Sequence, residues 1–363
     1  MRQRIVGVDI ARGLAIFGMY IAHVGHSVDG VDSPAWFIVA DGRPSALFAI
    51  LAGLSIALFT GRQEVPHGTA LVRGWLRVAS RAVVIFIIGV LLMMLGTPVA
   101  VILPSYAVAF LLVAPFLSVR PGLVAVAAGA VAVVGPTLLA GLTESPTGGA
   151  SPVERTLGTD GNFVLDLLLT GHYPALVWVA YMLLGLFLGR LDLGAPRVQA
   201  LVGTAGVGLI VLGHGVSDVL LSALAPTDPV TYQLVRADPH ADSTFELLGN
   251  AGVAMLTLAV VLALTTWPAT ARVARVVLFP VAATGAMALT AYSVHIVAIA
   301  ILGDDVVWQT RSNAVLLWFV VVTLVACTLW LRLVGRGPME WLMRQFTVGA
   351  EPLAAGPARR PGA

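Results

Sequence analysis

The chain contains no lysine: all 21 basic residues among its 363 are arginine. Its one cysteine, Cys327, excludes an intramolecular disulfide and a cysteine metal cluster. Charged residues make up only 11% of the chain, against about 25% in an ordinary soluble domain. So few charges exclude a solvated globular surface, and no nucleic-acid partner is expected. The short alternating apolar and polar segments of a membrane β-barrel are missing too. So are a Gly-rich phosphate loop, a serine nucleophile elbow and a zinc-protease helix.

What fills the chain is apolar: 58% of residues are hydrophobic. The apolar runs recur at about 20 residues, the length that crosses a bilayer core. The pattern predicts an all-α polytopic membrane bundle of about ten transmembrane helices. They fall near 5–27, 44–61, 78–96, 98–118, 122–142, 172–190, 199–223, 246–266, 277–302 and 314–335. Residues 1–347 read as one domain and 348–363 as a disordered tail. The third and fourth spans are joined only by GTP (96–98), which predicts a tight antiparallel pair. VLDLLLTGHYP (164–174) reads as a short re-entrant or interfacial segment. The first span is too long, and carries Asp9 and Arg12 too centrally, for a cleavable signal.

Arginine sets the orientation. With the N-terminus cytoplasmic, only Arg43, Arg155, Arg236 and Arg311 fall outside, while sixteen arginines fall inside. This asymmetry predicts both termini in the cytoplasm and a multi-pass protein of the cytoplasmic membrane. It also puts His23, His26, His172, His214, His240 and His295 at or near the outer ends of spans, with His67 alone inside. Loops must be polar, which accounts for part of this. It does not account for histidines in the outer thirds of helices.

On a helical wheel of the first span, with Arg12 at zero, Asp9 lies near about +60°, His23 near about +20° and His26 near about −40°. One face therefore carries all four. Asp9 and Arg12 are three apart and can pair. Pairing is the main way a bilayer helix tolerates both, since an unpaired charge at its centre costs about 3 kcal/mol or more. The pair could simply pin two helices; four ionisable groups on one stripe point further, to a water-filled path. His23 and His26 have a metal-compatible spacing but no acidic third ligand fixed by the helix, so no metal is expected. A histidine at the outer mouth suits a general base, its pKa lying near the working pH.

Other polar groups converge on the same level. His214 and Asp218 are four apart and predicted to share a face, where the carboxylate would fix the histidine tautomer. Glu246 and Asn250, then Tyr292 and His295, repeat such spacings; Asp41 and Arg43 precede the second span, and Tyr106 lies in the fourth. Singly, each is more often a packing hydrogen bond than a catalyst. On the inner side Arg73, Arg77 and Arg81 suit anionic lipid, or a phosphorylated donor.

The start RIVGVDIARGLAIFGMYIAH, with its D-x-x-R-G and ten residues between Arg12 and His23, resembles the first helix of acyltransferase-3 membrane enzymes. DGRPSALFAILAGLSIAL (41–58), LPSYAVAFLLVAP (103–115), GHYPALVWVAYMLLGLFLGRLDL (171–193), TGAMALTAYSVHIVAI (284–299) and GRGPMEWLMRQFT (335–347) resemble a sister group more closely. These are the YeiB-like and heparan-α-glucosaminide N-acetyltransferase-like proteins. The resemblance implies an acyl-CoA donor, acetyl-CoA in the first instance, in the cytoplasm. It implies a sugar or glycan amine or hydroxyl as acceptor on the far side, and a catalytic histidine at the outer end of the first helix or just after it. His23 and His26 both qualify. On this expectation His214, Asp218, Glu246 and His295 assist the base or orient the acceptor, with Asp41, Arg43, Tyr106, His172 and Tyr292 around it. Asp9 and Arg12 contact the pantetheine arm, and Arg73, Arg77 and Arg81 take the nucleotide phosphates. The stripe from Asp9 to His26 spans about 25 Å, within reach of that arm. A homodimer is compatible with all of this. The competing expectation is a proton-coupled transporter or lipid flippase using the same stripe as a relay. The broken helices that mark such carriers are not evident in the sequence.

Overall fold

A computed structural model describes residues 5–25, 40, 42–143, 162–308 and 313–349. His26, Asp41 and the tail from 350 onward lie outside the described residues. Among the described residues every regular element is helical. That is the expected solution for an apolar chain, because in lipid each backbone N–H and C=O must be satisfied within its own segment or a closed barrel.

Among the described residues seven helices are long and apolar enough to cross a membrane. They are α1 (Val6–Val24), α2 (Arg43–Thr60), α3 (Gly68–Met93), α5 (Pro121–Thr143), α8 (Pro196–Leu224), α10 (Thr244–Thr266) and α15 (Ala314–Leu333). Two further spans are bent pairs: α6 (Phe163–Thr170) with α7 (Ala175–Gly189) at 55°, and α12 (Phe279–Ala286) with α13 (Ala288–Leu302) at 82°. Between α3 and α5 runs a shorter apolar helix, α4 (Leu103–Val113), prolonged by a 3₁₀ stretch Ala114–Ser118. The remaining helices are short: α9 (Pro229–Val235), α11 (Ala271–Val277), α14 (Asp305–Trp308) and α16 (Pro338–Gly349).

Two expectations are corrected. The connection between α3 and α4 is nine residues, 94–102, not three, because α3 stops at Met93 and Pro104 sets the first turn of α4; the two helices still pack together. The run 277–302 is not one continuous helix. It breaks at Met287 (φ −121°, ψ 33°), seven residues beyond Pro280.

The core is α1, packed on α2, α10 and α12, with α2 in turn on α7 and α10 on α8. Small residues let these backbones touch. A Cβ on Gly285 would lie 1.7 Å from the Asp9 carbonyl oxygen, and one on Gly185 1.9 Å from that of Ile50. The first contact has a functional consequence: it sets the Asp9–Arg12 turn of α1 directly against the helix that breaks at Met287. Two thirds (67%) of α2 is buried but only 17% of α15, whose Trp318, Leu329 and Leu333 face outward. An outward face so apolar suits lipid, not water.

Candidate functional site

Two cavities lie at the two ends of α1. The one at the Arg12 end, about 300 Å³, is lined by Arg12, Ser55, Arg81, Glu340 and Arg344, with Phe48, Tyr106 and Phe110 among its apolar walls. Arg12 donates to Asp9 Oδ1 at 2.8 Å and to Ser55 Oγ at 2.8 Å. The predicted pair is therefore formed, and it is extended to α2. The Arg81 guanidinium lies 3.9 Å over the Phe59 ring, and its Nε has no hydrogen-bond partner. Of the other two predicted arginines, Arg77 donates to the Phe59 carbonyl at 3.3 Å and Arg73 is exposed; neither lines the cavity.

The break at Met287 builds the rest of this cavity. It frees the N-terminus of α13, whose backbone N–H groups need acceptors. Glu340 of α16 supplies them: Oε1 accepts from Leu289 N at 2.8 Å and Thr290 N at 3.1 Å, and Oε2 accepts from the Thr290 hydroxyl at 2.6 Å. An anion at a helix N-terminus also suits the helix dipole. Glu340 and Arg344 belong to GRGPMEWLMRQFT, a stretch that the residue-by-residue sequence reading assigned no role.

The cavity at the His23 end, about 310 Å³, is lined by His23, Gly42, Ser45, His172, Tyr173, His240 and Trp308, among others. His23 Nδ1 lies 3.0 Å from His295 Nε2, and the two rings stack with centroids 5.2 Å apart. His295 is buried between this pair and the rings of Tyr20 and Tyr292, 4.9 and 5.0 Å away. A neutral pair at 3.0 Å has one donor and one acceptor, so each ring fixes the other's tautomer.

Across the cavity His172 and His240 have ring centroids 3.8 Å apart, and both pack edge-on against Tyr173. His240 and Asp242 both have left-handed backbones, φ 60° and 51°, a costly conformation for residues other than glycine. Glu246 holds it. Its Oε1 accepts from His240 N at 2.8 Å and its Oε2 from Asp242 N at 2.7 Å, while Asn250 Nδ2 donates to Oε1 at 3.1 Å. Glu246 N in turn donates to the N-cap Ser243 Oγ at 3.0 Å. The Ser-x-x-Glu spacing of a capping box was thus present in the sequence. Glu246 does not line the cavity; it shapes the loop that does. Trp178 Nε1 donates to Asp242 Oδ1 at 2.7 Å. Burial first, and the nearby Glu246 charge second, hold the Asp242 carboxyl well above the usual carboxylate range. Burial, with His172 and His23 nearby, pushes His240 down to about 3.

The aromatic rings of Phe48, Tyr106 and Tyr292 stand between the cavities. Phe48 stacks on Tyr106 at 5.9 Å and on Tyr292 at 6.5 Å. The Tyr106 hydroxyl donates to the Ser45 carbonyl at 2.7 Å, and Ile102 N–H donates to the Tyr292 hydroxyl oxygen at 3.3 Å. Tyr106 and Tyr292 therefore meet across Phe48, and Tyr292 packs on His295.

Other predicted residues stand apart. His214 and Asp218 do not form the expected couple. A π-helical stretch, Val211–Gly215, adds a residue to the turn and spoils the i, i+4 register. Asp218 is exposed, no hydrogen bond joins it to His214, and His214 packs on Gly249, whose Cβ would meet Nε2 at 2.5 Å. Arg43 faces a separate pocket with Leu14, Gly18 and Ile21. His26 and Asp41 lie outside the described residues. Among the described residues no three His, Cys, Asp or Glu side chains gather as metal ligands would.

Comparison with known families gives two adjoining matches. Residues 4–204 match the family described as heparan-alpha-glucosaminide N-acetyltransferase, catalytic. Residues 207–350 match a family described as a protein of unknown function, DUF418, a YeiB-like group. No curated protein matches the chain at a significant level. The first match covers more than half of the sequence, and the chain belongs to the heparan-alpha-glucosaminide N-acetyltransferase catalytic-domain family.

Proposed function

We propose that the protein transfers an acyl group, acetyl in the first instance, from cytoplasmic acyl-CoA to an amine or hydroxyl of a sugar acceptor on the opposite side of the membrane. The observation that carries this reading is the pair of cavities on one seam of α1: arginines at one end, a coupled histidine pair at the other. Arg12 and His23 are eleven helical steps apart, about 16 Å. The arginine bias between the two sides supports a cytoplasmic Arg12 end. Counting each bent pair as one span, and Leu103–Ser118 as a short crossing, gives ten spans, an even number that is compatible with both termini on one side.

In this reading Arg12, Arg81 and Arg344 bind the donor. Guanidinium forks match phosphate oxygens, and Arg81 Nε has no hydrogen-bond partner among the described residues. The thioester reaches the layer of Phe48, Tyr106 and Tyr292. His23 carries its proton on Nδ1, donated to His295 Nε2, and its Nε2 lone pair takes the proton of the acceptor N–H or O–H. The acceptor's electron pair attacks the thioester carbonyl carbon, forming the new C–N or C–O bond and an oxyanion. As the oxyanion collapses the C–S bond breaks, and the thiolate leaves and takes the proton from His23. The base is thereby restored without a covalent acyl-enzyme. His295 is a positioning residue, and Glu246 acts through the His240 loop. Residues 5–347 work as one unit, because His23 and His295 belong to opposite halves of the chain.

The test is saturable binding of radiolabelled acetyl-CoA to the full chain in nanodiscs, followed by transfer to glucosaminides. We expect His23→Ala to bind acetyl-CoA and fail to transfer, and His26→Ala to do both. Loss of transfer in His26→Ala alone moves the base to His26. No saturable binding overturns the reading. One observation favours a carrier instead: two candidate spans are bent, at 55° and 82°, as the broken helices of carriers are. Substrate-driven proton flux in liposomes, lost in Asp9→Asn, would establish it.

A further inference from the structure

An apolar groove lies on the outward, apolar flank between α13 and α15. Here α15 packs chiefly on α12 and α1 and only briefly on α13. The slot left open, about 590 Å³, is walled by Val294 and Ala298 on one side and Trp318, Val322 and Ala326 on the other. The polar side chains on its wall direct their polar atoms inward. The Tyr20 hydroxyl donates to the Ala291 carbonyl at 3.3 Å and lies 3.2 Å from Thr323 Oγ1. Thr290 donates to Glu340, and His295 uses Nε2 on His23. The surface offered to an occupant is therefore hydrocarbon, which suits an alkyl chain and rejects a sugar or a nucleotide.

The groove borders the candidate site across His295. His295 belongs to its wall and is bonded to His23, which lines the polar cavity. At one end the groove reaches Leu302, and α14, which follows, contributes Val307 and Trp308 to that same cavity. From Thr290 to Leu302 it follows helix for about 18 Å, more than half of a hydrocarbon core of about 30 Å. A molecule with its chain in this slot and its head in the cavity would present the head to His23 without leaving the membrane.

We propose that the groove holds the alkyl tail of a membrane-anchored acceptor, a glycolipid whose sugar head occupies the His23 cavity. This rests on the acyl-transfer reading for the head and on the groove for the tail. A chain already dissolved in lipid gains little by entering another apolar site, so the tail contributes alignment of the head more than affinity.

The test uses the full chain in nanodiscs, radiolabelled acetyl-CoA, and methyl, octyl and dodecyl glucosaminide as acceptors. We expect a kcat/KM at least tenfold higher for the dodecyl than for the methyl compound. Ala298→Trp, which fills the slot, should erase that difference while leaving acetyl-CoA binding and transfer to methyl glucosaminide unchanged; Leu329→Trp, on the outer face of α15, should preserve it. A dodecyl glucosaminide with a chain-end diazirine should label Val294, Ala298 or Val322 in the wild type, displaced by excess unlabelled compound. Chain-length preference that survives Ala298→Trp, or label spread evenly to Leu329 and Leu138, means bulk lipid only and overturns the proposal. Acetylation of methyl glucosaminide without groove labelling sinks the tail site and leaves acyl transfer standing. Groove labelling without acetyl-CoA binding does the reverse.

Discussion

At the Arg12 end of α1 the polar side chains reach across helices and are charged; at the His23 end they are neutral rings that stack on one another. Arg12 links Asp9 to Ser55, and Glu340 closes the N-terminus of α13. Opposite, His23 meets His295, and His172 meets His240, with tyrosines filling the gaps. The difference is what the proposed two-sided transfer would need. A polyanionic donor is held by fixed cations, whereas proton transfer needs a group that is uncharged until the moment it acts. The two families also meet between these ends in an instructive way: His23 falls in the first match and His295 in the second.

The sharpest break between the ends should appear in kinetics. His23→Ala is expected to lower transfer by about 10²–10⁴ with acetyl-CoA affinity unchanged, the range for loss of a general base. Equal loss of donor binding would mean the two ends are one site. Next in size is stability at the other end. Arg12→Gln leaves Asp9 without its main partner and should cost about 3 kcal/mol, as an unpaired intramembrane charge does. The double variant Asp9→Asn with Arg12→Gln should recover most of the thermal stability but not donor binding. Recovery of both would reduce the pair to a helix pin.

The helices and the Asp9–Arg12 pair were legible from the sequence because they depend on local facts: run length, spacing, the cost of a lone charge. Glu246 was misjudged by weighing its chemistry before its position. It stands three residues after Ser243 at a helix start, where a carboxylate's first task is to satisfy backbone N–H groups. The break at Met287 was invisible for a different reason. Its compensation comes from Glu340, some fifty residues away, and no local pattern reports such a partner. His214 and Asp218 failed through one inserted residue, since a π-helical turn leaves no composition signature. The pairing of His23 with His295 joins helices far apart in the chain, so only their common depth was readable.

Glu246→Gln tests whether the histidine end is shaped or merely lined. An amide keeps one acceptor oxygen but leaves one of the two backbone N–H groups of His240 and Asp242 unmatched, which should cost about 1–3 kcal/mol. The acceptor KM should rise with it, and the donor KM should not. At the arginine end, Arg81→Gln should raise the acetyl-CoA KM about tenfold, the worth of one charge-assisted contact, with kcat unchanged and with a weaker salt dependence than wild type.

The smallest effect concerns pH and the loop that carries His240. Burial pushes this histidine down to about 3 in the folded protein, against about 6.5 in an unfolded chain. Below that unfolded value the unfolded chain gains a proton that the native loop refuses. The stabilisation from a neutral His240 is therefore complete above about pH 6.5 and is lost progressively as pH falls toward the folded value. His240→Gln cannot take a proton in either state, so its Tm in nanodiscs should fall less than that of the wild type between pH 7 and pH 5, as set by this linkage. Parallel Tm curves would mean that His240 is protonated in the folded protein, and that this end is less starkly neutral than its packing against His172 and Tyr173 implies.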